Sequence, residues 1–168
     1  RTKKRIQKIK VAKIINPVSR KMRRTSSEDR DFQELVRLLD KDLLDRYGAL
    51  QNFYSRFNSI KDLPTVVMAY YKGQPVGCGC FKQFDEGSVE IKRMYVSPVQ
   101  RGKGIGATIL AELEKWAAEL KVGTIVLETG NNQPEAVHLY GKMGYAVIPN
   151  YGQYSGMETS ICMKKELK

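Results

Sequence analysis

An α+β fold, with a mostly antiparallel sheet flanked by about four helices, is predicted by three features of this 168-residue sequence. An apolar stripe at helical spacing comes early, three strand-like runs divided by tight turns follow, and a glycine-rich loop then opens a second amphipathic helix. The length suits one domain with a single hydrophobic core.

Taken in order, Ser19 to Thr25 reads as a short first strand. Ser26-Ser27 offers an N-cap before an acidic first turn of Glu28, Asp29 and Asp31. Phe32, Leu35, Val36, Leu38, Leu39, Leu43 and Leu44 then recur at spacings of three and four, the stripe of an amphipathic helix that ends near Tyr47-Gly48. A second helical stretch over Leu50 to Phe57 carries Phe53, Tyr54 and Phe57, aromatics of a kind that usually fill a core. Thr65 to Tyr71, Val76 to Phe84 and Ser88 to Val96 form a meander, with turns at Lys72 to Pro75 and Asp85 to Gly87. Ile105, Ile109, Leu110, Leu113, Trp116, Ala117 and Leu120 share one side of the next helix. Thr124 to Glu128 reads as a buried strand, Pro134 as the first residue of a helix through Met143, and Gly144 as its cap. Tyr145 to Ile148 and Ser160 to Lys165 supply the final strands.

The formal net charge of +11 is not spread over the chain. Residues 1 to 24 hold eleven Lys and Arg and no acid; the remaining 18 basic residues are matched by 18 acidic ones, so residues 25 to 168 are formally neutral. A basic arm over residues 1–18 is therefore expected to be a flexible appendage to a domain over 19–168. Such an arm is suited to RNA, to an acidic partner or to an anionic surface, with a solvated tail as the alternative. The neutral domain itself argues against nucleic acid. Lys8, Lys10 and Lys13 interrupt the apolar residues near the start, which breaks up a signal-peptide core, and no apolar run elsewhere is long enough to span a membrane. Cys78, Cys80 and Cys162 are an odd number with no C-x-x-C pair, and the lone His138 completes no zinc-ligand spacing. A reduced, cytoplasmic protein with no metal is the expectation, with Cys78 and Cys80 buried on one strand face.

Two local features point to chemistry. In Ser88 to Val96 the apolar positions are odd at Val89 and Ile91 but even at Met94 and Val96, a one-residue slip of phase such as a β-bulge produces. Immediately after come Gln100-Arg101-Gly102-Lys103-Gly104-Ile105-Gly106, three alternate glycines at a helix entrance. Glycines there allow backbone N–H groups to approach an anion, and the helix N-terminus contributes about half a positive charge. The segment suits a pyrophosphate, yet it has neither P-loop order nor the spacing of a dinucleotide-binding turn.

Arg101-Gly102-Lys103-Gly104-Ile105-Gly106 resembles the glycine signature R/Q-x-x-G-x-G/A of the GNAT superfamily of N-acetyltransferases. Gln133-Pro134-Glu135-Ala136-Val137-His138-Leu139-Tyr140-Gly141-Lys142-Met143-Gly144-Tyr145 resembles the superfamily's N-x-x-A-x-x-L-Y-x-x-x-G-F/Y segment, and the order of elements agrees over about nine-tenths of the chain. The resemblance implies the acyl-CoA N-acyltransferase fold, a mixed sheet whose fourth and fifth strands splay apart around the pantetheine arm of acetyl-CoA. It implies that Met94, Tyr95 and Val96 hold that arm and that the loop from Arg101 through Gly102, Lys103, Gly104 and Ile105 to Gly106 holds the pyrophosphate. Gln133 stands where the superfamily often has Asn, so Asn132 or Asn131 is the alternative contact.

The activity implied is acetyl transfer to a primary amine. An amine with a pKa of about 10.4 is neutral about once in 2,500 molecules at pH 7, roughly 4.6 kcal/mol that a base must help to supply. By resemblance Glu90 is that base, with Glu128 on the facing strand as the reserve or a substrate clamp; a solvent-facing glutamate or a partner for Lys92 is the other reading of Glu90. Tyr140 matches the superfamily's tyrosine that returns a proton to the departing thiolate, and direct transfer is favoured over an acyl-enzyme. The acceptor site falls to Tyr47, Tyr151 and Tyr154, with Phe53 and Tyr54, and the loop over residues 150–154 either closes over a small amine or lines a homodimer contact. A small amine or amino acid is the expected acceptor; a peptide or protein amine, or a non-catalytic acetyl-CoA-binding module whose arm engages nucleic acid or protein, are the alternatives.

Overall fold

The computed structural model describes residues 20–168, so the basic arm and Ser19 lie outside the described residues. Seven strands form one sheet in the order β1-β2-β3-β4-β5-β7-β6. They are β1 (Arg20–Thr25), β2 (Val66–Tyr71), β3 (Gln74–Asp85), β4 (Ser88–Val96), β5 (Thr124–Gly130), β6 (Ala146–Ile148) and β7 (Ser160–Glu166). Helices α1 (Arg30–Tyr47), α2 (Gln51–Ser55), α3 (Ile105–Glu119) and α4 (Pro134–Lys142) lie against it. All neighbouring strands are antiparallel except β4 and β5, which are parallel because α3 carries the chain across between them.

The N-cap of α1 is Asp29 rather than Ser26 or Ser27. The Asp29 carboxylate accepts from the N–H groups of Asp31 at 2.9 Å and Phe32 at 3.2 Å, while Ser27 Oγ accepts from the N–H of Leu63 and ties the loop ahead of β2 to the helix start. Phe32, Leu35, Val36 and Leu39 bury the stripe against Met68, Cys78, Cys80 and Tyr95; Leu44 is exposed. The expected helix over Leu50 to Phe57 contracts to α2, five residues preceded by a single 3-10 turn at Gly48–Leu50. On the other face Ile109, Leu110, Leu113 and Ala117 of α3 pack on Val89, Ile91, Ile125 and Leu127, and Leu120 falls outside as the helix ends.

The phase slip in β4 is a bulge. Cys78 pairs with Tyr95 and Cys80 with Lys92, so Gly79 alone stands against Arg93 and Met94. Arg93 takes a positive φ of 57°, and the alternation changes hand there. Glu90 and Lys92 face the α1 and α2 side before the bulge, whereas Met94 and Val96 join the α3 side after it. Pairing with β5 extends only from Ser88↔Thr124 to Ile91↔Leu127. Beyond that point the two strands part, and the gap opens at the residue where the bulge begins.

Candidate active site

The opening between β4 and β5 is a cavity of about 460 Å³ running from the glycine loop to α1 and α2. Met94, Tyr95, Val96, Arg101, Gly102, Gly104, Ile105 and Gly106 line one end; Tyr47, Gln51, Tyr54, Asn58, Glu128 and Thr129 line the other; Tyr140 and His138 of α4 stand between.

The first end is built from backbone. Gly102 and Gly104 have φ of 75° and 79°, the left-handed region that favours glycine, and a Cβ on either would meet no atom within 4 Å. The loop is thus held in a form that leaves space above it, and α3, 15 residues long, begins directly behind with its first N–H groups unused by its own ladder. An anionic pyrophosphate fits this surface. Arg101 lines the cavity but reaches inward: its Nε donates to the carbonyl of Val96 at 2.8 Å and it pairs with Asp42 of α1 at 3.4 Å. Lys103 points elsewhere. Its ammonium donates to the side chain of Gln100 and its carbonyl accepts from Arg20, so of the expected loop contacts it is one that the geometry does not bring to the cavity. Asn132 is the other, turned toward Arg46 of α1, while Gln133 lines the cavity and accepts from Tyr47 Oη at 3.2 Å and from the N–H of Gly130 at 3.3 Å.

The second end is built from side chains. Glu128 is the first β5 residue past the last pair with β4 and lines the cavity. Burial pushes its carboxyl up to about 7; Glu90 adds to the rise, while a hydrogen bond from Ser160 and the charge of Lys92 act against it. Tyr140 is buried on the α3 side of the gap, and burial with the nearby charge of Glu128 drives its phenol well above the ordinary tyrosine value. Tyr47 spans the gap from α1: its hydroxyl donates to Gln133 and accepts from the N–H of Asn132 at 3.2 Å, and a Cβ on Gly130 would overlap the phenol.

Glu90, Tyr151 and Tyr154 are not on the cavity wall. The expected base Glu90 is 2% exposed and committed to other partners, with Lys92 Nζ at 3.2 Å on one oxygen and Tyr151 Oη donating at 2.6 Å to the other. Lys92 Nζ also donates to Tyr154 Oη at 3.0 Å. Of this cluster only Lys92 reaches the cavity wall, beside Glu128; Glu90, Tyr151 and Tyr154 lie off it. The pairing with Lys92 is the other reading of Glu90 that the sequence offers; what the sequence does not show is the loop bearing Tyr151 that seals the carboxylate, because a period-two strand fixes only the face on which Glu90 stands. Gln51 and Asn58 of the cavity wall are not among the residues expected there; Tyr54 is, and it lines the cavity although it is largely buried and its hydroxyl bonds Thr159 and Ser160, whereas Phe53, expected beside it, is not on the wall. Among the described residues no group of three or more His, Cys, Asp or Glu is placed to hold a metal ion, and no helix is long and apolar enough to cross a membrane.

A mixed sheet that parts at a bulged strand, with a glycine loop and helix start at the mouth of the gap, defines the acyl-CoA N-acyltransferase fold. A crystal structure from Klebsiella pneumoniae assigned as an acyl-CoA N-acyltransferase superposes with a TM-score of 0.74 at 27% identity, over 89% of this chain and 98% of that one. PaiA N-acetyltransferase from Thermoplasma acidophilum, solved in complex with coenzyme A, superposes with a TM-score of 0.66 at 21% identity, over 89% and 99% of the two chains. In sequence, an IAA acetyltransferase of Azospirillum brasilense is 34% identical over 142 residues, 80% of this chain and 89% of that protein. Residues 32–145 match the Acetyltransferase (GNAT) family, and the chain belongs to it. It is an acetyl-CoA-dependent acetyltransferase, which removes the reading as a non-catalytic binder.

Proposed function

We propose that the protein moves the acetyl group of acetyl-CoA directly to the primary amine of a small molecule or amino acid, with Glu128 as the base and Tyr140 as the acid. The observation that carries the reading is the position of Glu128, on the cavity wall just past the last β4–β5 pair, in surroundings that raise its carboxyl to about 7. A base poised near the working pH is ionised often enough to act and basic enough to take a proton from an ammonium. Glu90, the base implied by resemblance, is sealed behind it and already engaged.

Acetyl-CoA supplies a thioester activated toward amines; the chain supplies binding and proton traffic. The open glycine loop and the start of α3 receive the pyrophosphate, Met94 to Val96 line the path of the pantetheine arm, and Gln133 stands beside the mouth. Glu128 takes the proton of the incoming ammonium. Tyr140, kept a phenol across the working pH range by burial, holds a proton at Oη for the departing sulfur. Base and acid line the same cavity, Glu128 from β5 and Tyr140 from α4. The acceptor end, enclosed by α1 and α2 with Tyr47, Tyr54, Gln51 and Asn58, has room for a small amine rather than an extended peptide.

The test is release of coenzyme A thiol from acetyl-CoA with spermidine, tyramine, histamine and the free amino acids, against a lysine-containing peptide. Turnover with at least one small amine and none with the peptide is expected, and the reverse result overturns the acceptor class. Replacing Tyr140 by Phe is expected to lower kcat about 10²-fold while leaving the acetyl-CoA Kd within twofold. A turnover number equal to that of the native enzyme would reduce Tyr140 to a packing residue.

A further inference from the structure

Two carboxylates, Glu90 and Glu128, stand on one face of adjacent strands at the point where β4 and β5 part. Only one of them can serve as a base, and the residue that separates their roles is Lys92. By register it follows the last pair, Ile91↔Leu127, and so stands level with Glu128, while its ammonium turns back to Glu90 Oε1 at 3.2 Å and to Tyr154 Oη at 3.0 Å. Its side chain is 9% exposed, too little to be solvated by bulk water.

We propose that Lys92 is the positioning residue that assigns the proton-accepting role to Glu128: by pairing with Glu90 and Tyr154 inside the protein it holds the Glu90 carboxylate in a closed cluster and out of the reaction, and it stands level with Glu128 as the cation that faces it. The inference rests on the reading of Glu128 as base. The pairing is complete on the Glu90 side, since Tyr151 Oη donates to the second oxygen at 2.6 Å and Lys82 stands at 3.9 Å from the first. Phe84 of β3 meets the ring of Tyr151 edge-on at 4.9 Å, which holds the phenol over Glu90. The groups that face Glu128 are Lys92 and Glu90 from β4, Tyr47 from α1, Tyr140 from α4, Tyr154 from the segment ahead of β7, and Ser160 and Cys162 of β7. Lys92 is the single cation among them. Without it Glu90 would keep only the half-exposed Lys82 as a cationic partner and Glu128 would face the Glu90 carboxylate with no cation between them, an arrangement of like charges that favours taking up a proton.

The experiment is a carbon-13 NMR titration of protein labelled at the glutamate side-chain carboxyls, without ligand, with the Glu128 resonance identified by its loss in Glu128→Gln. In Lys92→Met the Glu128 midpoint is expected to rise by about one pH unit. In Glu90→Gln, where the like charge is gone and the ammonium is left to Glu128, it is expected to fall by about as much. The double variant Lys92→Met/Glu90→Gln, which buries no unpaired charge, returns the midpoint close to that of the native protein and answers the question even if Lys92→Met alone fails to fold. Lys92→Arg, which keeps the charge, stays near the native midpoint. A Glu128 midpoint that does not rise in Lys92→Met, or that is no higher in the double variant than in Glu90→Gln, overturns the proposal and leaves the base assignment intact. A Glu128→Gln enzyme with native turnover overturns the base assignment, and this proposal with it.

Discussion

The two ends of the cavity are made of different material. At the cofactor end the groups on offer are peptide N–H and C=O, exposed because a bulge ends one strand pairing and because two glycines hold left-handed φ. At the acceptor end they are carboxyl, phenol and amide side chains drawn from α1, α2, β5 and α4. Backbone recognition is indifferent to most substitutions and sensitive to conformation, whereas side-chain recognition is the reverse. The first end is therefore expected to respond to changes of backbone freedom with loss of binding, and the second to changes of a single functional group with loss of rate.

The largest effect should come from Glu128→Gln, which removes the base and keeps the shape. A fall in kcat of about 10²- to 10⁴-fold is expected, with the acetyl-CoA Kd measured by calorimetry within twofold. If binding fell and kcat did not, the division between the two ends would be wrong. In the native enzyme kcat/KM should rise with pH through a midpoint near 7 as Glu128 ionises, and that limb should vanish in the variant.

The same substitution makes a second prediction, about stability. The folded carboxyl titrates near 7 and the unfolded one near its ordinary 4.5, so the native state binds the proton more tightly. Below about pH 4.5 both states are protonated and the group costs nothing. Between 4.5 and 7 stability is lost as pH rises, and above 7 the cost is constant, on the order of 3 kcal/mol. Glu128→Gln should therefore melt roughly 6 to 12 °C above the native protein at pH 8, with the gap closing toward pH 5. A residue kept at such a cost is one retained for function.

The same contrast governs how much was legible in the sequence. The bulge could be read from Val89 and Ile91 giving way to Met94 and Val96, and the glycine loop from its spacing, because backbone geometry is dictated by neighbours in the chain. The sheet and all four helices are found close to their expected positions for the same reason. At the acceptor end the sequence names Glu90, Glu128, Tyr47, Tyr140, Tyr151 and Tyr154 but cannot rank them. Whether Glu90 or Glu128 faces the cavity depends on where a loop some 60 residues later, bearing Tyr151 and Tyr154, comes to rest. Gln51 and Asn58 are invisible in the same way, since a polar residue on a short helix or in the turn after it carries the same mark whether it meets solvent or the cavity. Asp29 displaced the expected serine cap because Ser27 was claimed by Leu63, another partner distant in sequence.

At the cofactor end Gly104→Ala tests the backbone argument. The added methyl has space, but it must adopt φ near 79°, which costs an L-residue about 1 to 2 kcal/mol. The acetyl-CoA Kd is expected to rise about tenfold if the loop relaxes to avoid that strain, with kcat at saturating cofactor unchanged. A lower kcat at an unchanged Kd would mean that the loop positions the reacting group rather than the phosphates.

The smallest effect belongs to the one side chain that joins the two ends. Tyr47 of α1 donates to Gln133 and accepts from the N–H of Asn132, and its phenol packs so closely on Gly130 that no Cβ fits between them. Burial pushes that phenol up to about 12, so it is a neutral donor throughout the working range. Tyr47→Phe keeps the ring and deletes the latch. Each lost hydrogen bond is worth about 0.5 to 1.5 kcal/mol, so a rise of about three- to tenfold in acceptor KM is expected, with kcat nearly unchanged because neither Glu128 nor Tyr140 is touched. Gly130→Ala forces the same ring away by crowding and should reproduce the KM increase with the hydroxyl still present. Agreement between the two variants would locate the effect in the closure of α1 over β5. A fall in kcat in Tyr47→Phe alone would instead move the hydroxyl into the proton traffic, and the acceptor end would then have three working groups rather than two.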